Sequence, residues 1–252
     1  TGFGGDVVRE SIGDSVEYVE QREQLGTGHA VLQTKDLLAG EHGTIMVLCG
    51  DTPLLTAELL ARFHEEHVQA GAKATVLTAI MPNAKGYGRV IRRENGEVLK
   101  IVEHKDATPE EREIHEVNAG IYCFDTQALF AALAKVTNDN AQGEYYLPDV
   151  LSILRGAGEK IWAVTADNYE STLGINSRSQ LAVAERILRR RKAEELMADG
   201  VTIIDPHTTF IDAEVRVGMD TVIYPFTFLE GSTVIGTDCE IGPNVRFQNM
   251  VI

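Results

Sequence analysis

The sequence predicts an α/β domain with a Rossmann-like, mixed but mainly parallel sheet, then a long helix, then a parallel β-helix. Three observations carry this. Apolar runs alternate with amphipathic stretches between residues 31 and 164, the pattern of βαβ units. One of those runs, Thr44 to Cys49, stops abruptly at Gly50-Asp51 and Pro53 and reads as a strand buried on both faces. Further on, Ile211, Val217, Ile223, Leu229, Ile235, Ile241 and Phe247 recur at a spacing of six. Val215, Thr221, Thr227, Thr233, Cys239, Val245 and Val251 hold the fourth place after each. A hexad of one aliphatic and one small or β-branched residue marks a parallel β-helix, each turn stacking on the last.

In chain order, Thr1 to Gly13 is polar and Gly-rich, and Ser15 to Val19 alternates like a strand. Gln21 to His29 is a Gly-punctuated loop. The following helix carries Val31, Leu32, Lys35 and Leu38, with Gly40 as its stop. After the Thr44 strand, Thr56 is placed to cap a helix whose buried face is Leu59, Leu60, Phe63 and His67. Ala74 to Ile80 is the next strand. Gly88 to Arg92 and Val98 to Glu103, joined through Asn95-Gly96, form a hairpin. Val117 to Phe124 is a strand, Thr126 to Ala134 and Pro148 to Arg155 are helices, and Ile161 to Val164 closes the sheet. Ser179 to Gly200 is a connector helix with Leu181, Ala184 and Leu188 on one stripe. Its basic run, Arg189 to Lys192, reads as a solvated face.

At 252 residues and 44% hydrophobic, the chain can bury a sizeable core and a smaller second unit. A formal charge of −15 argues against nucleic acid or a membrane surface as partner. Cys49, Cys123 and Cys239 lie far apart with no CxxC, as expected of reduced thiols in the cytoplasm. No stretch is long enough for a transmembrane helix and no signal peptide is present. The chain starts at Thr1 without Met and stops at Ile252 within a hexad, so both ends are expected to be cut.

Asp51 stands where ligands bind in open α/β sheets, beyond the carboxyl end of a strand. It reads either as a hard oxygen ligand holding a divalent cation against phosphates, or as a turn aspartate capping the next helix. His64 and His67 in His-Glu-Glu-His lie on or beside the apolar stripe and read as core or surface. His29 reads as packing at a helix start.

Six motifs occur in order: Gln21 to Ala30, Gly50 to Leu54, Gly86-Tyr87-Gly88-Arg89, Ile101 to Ala107, Val117 to Ile121 and Gln142-Gly143-Glu144-Tyr145-Tyr146. Followed by hexads, they resemble the bacterial bifunctional N-acetylglucosamine-1-phosphate uridyltransferase/glucosamine-1-phosphate acetyltransferases over nearly the whole chain. The resemblance implies a nucleotidyltransferase domain at residues 1–178, a linker helix at 179–200, and the start of a left-handed β-helix acetyltransferase domain at 201–252. It also implies uridylyl transfer from UTP to N-acetylglucosamine 1-phosphate, giving UDP-N-acetylglucosamine for peptidoglycan and lipopolysaccharide. The longer protein would use acetyl-CoA and glucosamine 1-phosphate, as a homotrimer.

By the same resemblance Gln21, Gly26 and Thr27 would read the uracil, with Cys49, Gly50 and Asp51 against the nucleotide. Gly88, Glu103, Asn118 and Asn176 would hold the sugar phosphate, and Gln142 to Tyr145 would border that pocket. Asp51 and Asn176 would bind Mg²⁺, whose octahedral shell suits a carboxylate, an amide oxygen, phosphates and waters. A phosphate nucleophile is already ionised, so Glu103 is expected to bind sugar hydroxyls rather than act as a base. The family's Gly-rich loop with its catalytic Arg and a Lys would precede Thr1, which leaves no catalytic residue within the chain. Cys49 replaces the family's common Tyr. Two rivals are a glucose-1-phosphate adenylyl- or thymidylyltransferase with a β-helix tail, set apart by base preference, and an inactive scaffold, set apart by assay.

Overall fold

The first of two units, Thr1–Thr172, opens on a helix within the polar, Gly-rich stretch. The structure is a computed structural model and describes residues 1–140 and 142–252. Helix α1 (Gly5–Ile12) buries none of its residues, and a 3-10 turn follows at Gly13–Ser15. The strand expected at Ser15 to Val19 does not form. An alternating segment needs a neighbouring strand, and this one runs beside Thr1 instead: Gln21 N–H donates to the Thr1 carbonyl at 2.7 Å. The expected helix through Val31 and Leu38 is two pieces, α2 (Thr27–Leu32) and α3 (Lys35–Leu38). At the break Thr34 Oγ1 donates to the Val31 carbonyl at 2.7 Å, competing with the helical ladder.

Strand β1 (Thr44–Val47) corrects a second expectation, being shorter than Thr44 to Cys49 and only half-buried along its length. Helix α4 (Ala57–Ala70) starts as the sequence suggests, Leu59 N–H donating to Thr56 Oγ1, and ends at Gly71 with φ 58°. It buries Leu59, Phe63 and His67. Then come β2 (Ala74–Ile80), β3 (Arg89–Arg92) and β4 (Val98–Val102), the last two forming an antiparallel hairpin through Gly96 at φ 85°. A capped turn, α5 (Pro109–Arg112), precedes the ten-residue β5 (Glu116–Asp125). Helices α6 (Thr126–Leu133) and α7 (Asp149–Gly156) and strand β6 (Ile161–Thr165) complete the unit.

The sheet is mixed, but not mainly parallel. Among the described pairings only β2–β6 is parallel, while β5 runs antiparallel to β1, β2 and β3, and β3 to β4. The helical connections do give β1, β2 and β6 a common direction, as the alternating pattern predicts. Pattern sets direction and not adjacency, and β5 is wedged between β1 and β2. This is also why β1 is half-buried: it pairs with β5 alone. Alternate residues of β5 serve two cores. Tyr122 and Phe124 pack with Leu129, Val150 and Leu154 from α6 and α7, while Ile121 and Cys123 pack with Leu59 and Phe63 from α4. Arg92 ties four strands together, bonding Glu116 Oε1 and Oε2 at 2.9 and 3.0 Å through Nε, the Ala163 carbonyl and Thr165 Oγ1, with Thr78 Oγ1 on the same carboxylate.

The second unit, Leu173–Ile252, begins with α8 (Arg178–Ala198), capped by Ser177, whose Oγ accepts from Gln180 N–H. Its buried residues are Ala184, Ile187, Ala193 and Leu196, so of the stripe read through Leu181, Ala184 and Leu188 only Ala184 is buried and both leucines are exposed. Eight short strands follow: β7 (Thr202–Ile203), β8 (Phe210–Ile211), β9 (Arg216–Val217), β10 (Val222–Ile223), β11 (Phe228–Glu230), β12 (Val234–Ile235), β13 (Glu240–Ile241) and β14 (Arg246–Gln248). They form three parallel sheets, β7-β10-β13, β8-β11-β14 and β9-β12. Ile211 and Phe247 flank Leu229, each three hexads away, which is consistent with the start of a β-helix. Ile211, Ile223, Leu229, Ile235 and Ile241 are buried and Val217 is half-buried. Thr221, Thr227 and Thr233 are fully buried too, and each hydroxyl donates to a backbone carbonyl, so none is left unsatisfied.

Candidate functional site in the notch of the central strand

One edge of β5 is shared. Strand β3 pairs with it at Val117, β1 pairs with residues 122–125, and a notch is left between them. The carboxyl end of β1 and the start of β3 both point into this notch, because both run antiparallel to β5. Cys49 Sγ–H donates to the Gly120 carbonyl at 3.3 Å, and Asn118 N–H donates to the Gly88 carbonyl at 2.9 Å. Opposite the notch the β2–β5 register slips between Val76 and Thr78, and Gly120 takes φ 75°. Irregularities of this kind re-aim side chains beside sites.

The structure brings Gly88, Glu103 and Asn118 together. A Cβ on Gly88 would lie 3.2 Å from Glu103 Oε1, so the close approach leaves little room for a side chain there. Asn118 Oδ1 accepts the Gly120 N–H at 2.9 Å and its Nδ2 donates to Tyr122 Oη at 2.8 Å. Behind Gly88 the buried Arg89 donates to the Ala84 and Tyr87 carbonyls, fixing the loop before it, while its Nε is buried without a partner. Burial raises the Tyr122 hydroxyl above the usual phenol range, as do Cys49 and Glu103, against the Asn118 bond. Burial likewise raises the Cys49 thiol, with Asp51 adding to the effect.

Across from the notch, the Gln21–His29 loop is clamped to residues 144–147. Gly28 N–H donates to the Tyr145 carbonyl at 2.8 Å, Tyr145 N–H to the Leu25 carbonyl at 2.7 Å, and Leu147 N–H to Thr27 Oγ1 at 3.0 Å. Gly26, at φ 104°, permits this contact: a Cβ there would meet the Tyr145 carbonyl at 2.6 Å. A cavity of about 780 Å³ lies beside the site, with Thr27, Glu103, His104, Tyr146, Asp149 and Arg155 among its walls. Gly88, Asn118 and Asp51 are not among them, so the cavity extends the site and does not contain it. Sequence reading missed Tyr122 and the backbone of Tyr145. Their roles follow from register and loop contact, for which a sequence has no pattern, although Tyr145 lies in a motif already singled out.

Asp51 lies exposed in the turn after β1, with Thr52 Oγ1 donating to the Cys49 carbonyl at 2.7 Å. The capping alternative for Asp51 fails, since Thr56 caps α4. Among the described residues no group of three or more His, Cys, Asp and Glu side chains could hold a metal by itself. One exposed carboxylate facing a phosphate suits Mg²⁺, which keeps several waters and shares one or two protein oxygens with substrate. Asn176 belongs to the second unit, in the turn before α8, where its N–H donates to Gln180 Oε1 at 2.7 Å. Among the described residues no helix is long and apolar enough to cross a membrane.

A family profile described as Nucleotidyl transferase matches residues 7–177. "Bifunctional protein GlmU" from Geobacillus thermodenitrificans is 54% identical over 248 residues, covering 98% of this chain and 54% of that protein. The proteins of the same name from Exiguobacterium sp. and Limosilactobacillus reuteri are 53% and 50% identical, over 251 residues each. The chain spans about half the length of the curated relatives it matches.

Proposed function

The chain belongs to the nucleotidyl transferase family, and from that premise we propose that it carries the uridylyl-transfer half of a cytoplasmic, bifunctional, homotrimeric enzyme. The observation that carries the reading is the notch on β5, where Cys49, beside Gly50 and Asp51, bonds Gly120 on one side while Asn118 bonds Gly88 next to Glu103 on the other. Residues 1–178 act as the nucleotidyltransferase domain, 179–200 as a linker helix, and 201–252 as the first coils of a left-handed, hexapeptide-repeat acetyltransferase domain. In the longer protein that domain takes acetyl-CoA and glucosamine 1-phosphate.

In the reaction, a phosphate oxygen of N-acetylglucosamine 1-phosphate attacks the α-phosphorus of UTP. The new P–O bond forms as the bond to the β-phosphate breaks, releasing pyrophosphate and UDP-N-acetylglucosamine. Gln21, Gly26 and Thr27 orient the uracil, Gly50 lies beneath the nucleotide, and Gly88, Glu103 and Asn118 orient the sugar. Glu103 accepts hydrogen bonds from the sugar hydroxyls and moves no proton. Asp51 holds Mg²⁺, and the part of Asn176 as second metal ligand and sugar contact rests on family resemblance. When bound, the ion neutralises phosphate charge, which the acidic Asp51 and Glu103 cannot do. The test is pyrophosphate release from UTP and N-acetylglucosamine 1-phosphate, in this chain and in a version extended to the length of its relatives. We expect Mg²⁺-dependent turnover in the extended protein and its loss in Asp51→Ala. Preference for ATP or TTP with glucose 1-phosphate would overturn the assignment.

A further inference from the structure

Gln21 and Gln33 both direct amide nitrogens at the ring of His29. Gln21 Nε2 lies 3.1 Å from its Nδ1, and Gln33 Nε2 lies 3.1 Å from its Nε2. Neither amide can turn round. Gln21 Nε2 also donates to the Gly26 carbonyl at 3.1 Å and Gln33 Nε2 to the His29 carbonyl at 3.0 Å, and an amide oxygen in either place would face a second oxygen. A neutral imidazole has one free lone pair and a protonated one has none, so the ring can satisfy only one of its two neighbours. Gln33 is anchored to the backbone of His29 itself, one helical turn away, and keeps that bond wherever the ring proton sits. Gln21 crosses from a separate segment, and its bond to the Gly26 carbonyl leaves its second N–H to the ring.

We propose that His29 is a positioning residue. Its Nδ1 lone pair, together with the Gly26 carbonyl, holds both N–H bonds of the Gln21 amide, so that Oε1 alone is left to meet a nucleobase. This rests on the assignment of Gln21 to uracil reading and adds the reason for its polarity. An acceptor in that place takes the N3–H of uracil. Cytosine presents a lone pair at N3, and acceptor would face acceptor. With the lone pair of His29 removed, the Gly26 carbonyl alone opposes rotation of the Gln21 amide, which erodes the discrimination.

Three proteins test this: the chain as it stands, His29→Leu, and His29→Asn, whose Oδ1 can occupy the Nδ1 position. Binding of UTP and of CTP is measured by titration calorimetry with Mg²⁺, and circular dichroism checks that each variant is folded. The expected result is a preference for UTP that falls about fivefold to tenfold in His29→Leu, the worth of one hydrogen bond, and is largely kept in His29→Asn. Nitrogen-15 shifts of the ring should place its proton on Nε2. A proton on Nδ1, or an unchanged UTP-to-CTP ratio in folded His29→Leu, overturns the role given to His29 while leaving the uridine reading intact. Failure of both the unsubstituted chain and its version extended to the length of its relatives to bind either nucleotide overturns the uridine reading and this inference with it.

Discussion

Asn118 stands in for a strand that is not there. Within the notch the Gly120 N–H meets no neighbouring strand, and Asn118 Oδ1 accepts it while Nδ2 engages Tyr122 Oη. Asn118→Ala leaves both groups without partners and should cost about 1–3 kcal/mol in urea denaturation, whereas a loss below the error of the fit would mean that water replaces the side chain. A second residue links burial to pH. His67 is buried against Thr75, its Nδ1 2.7 Å from the hydroxyl, and burial lowers its pKa, with nearby His64 adding to the effect. The charged ring is thus disfavoured in the folded state. Its contribution is complete above the unfolded value of about 6.5 and is lost as pH falls through the lower folded value. The wild-type chain should therefore lose more stability than His67→Gln between pH 7.5 and pH 5.5, and parallel curves would refute the assignment. At this scale the sequence was legible in which motif residues come together, as at Gly88, Glu103 and Asn118. It was illegible at Tyr122, whose contact depends on a strand register slipping at one position.

Elements follow the same division. Caps and glycine stops are local, and Thr56, Gly71 and Gly96 act where their types suggest. The break between α2 and α3 hinges on one hydroxyl turning back to its own helix, and the demotion of β1 hinges on a strand arriving from seventy residues later. The face of α8 was misread at Leu181 and Leu188, since a sequence pattern weights leucines heavily, while Ala184 of the same stripe is buried, and Ala193 and Leu196 pack with the short strands. Adjacent residues test the corrected face. Ile187 is 4% exposed and Leu188 45% exposed. Ile187→Asp buries an unpaired carboxylate and should lower stability by several kcal/mol, with Leu188→Asp within about 0.5 kcal/mol of wild type. Thermal melts of the two variants give the comparison directly, and equal losses would restore the leucine stripe.

For the whole molecule, the hexad spacing was the most legible feature, since each inward residue depends on its own position and not on distant chain. Which strands pair in the first unit was the least legible, because direction can be read from connections and adjacency cannot. Charge acts at this scale as well. With 38 acidic residues against 23 basic, the folded chain repels itself. Moving from 20 to 300 mM NaCl should raise the melting temperature by screening that repulsion, and a fall would show that the chain's ion pairs outweigh its excess charge.

The notch has a further consequence, in time rather than in space. Among the described residues its two walls are bonded to β5 and not to each other, and they are unequally held. Strand β3 has β4 on its far side, whereas β1 has β5 alone and is half-buried throughout. Opening of β1 therefore breaks fewer bonds and exposes less apolar surface than opening of β3. Amides of Thr44–Val47 should take up deuterium well before those of β3, and equal rates would contradict this. The side of the notch that carries Cys49 would then breathe while the side that carries Gly88 stays in place.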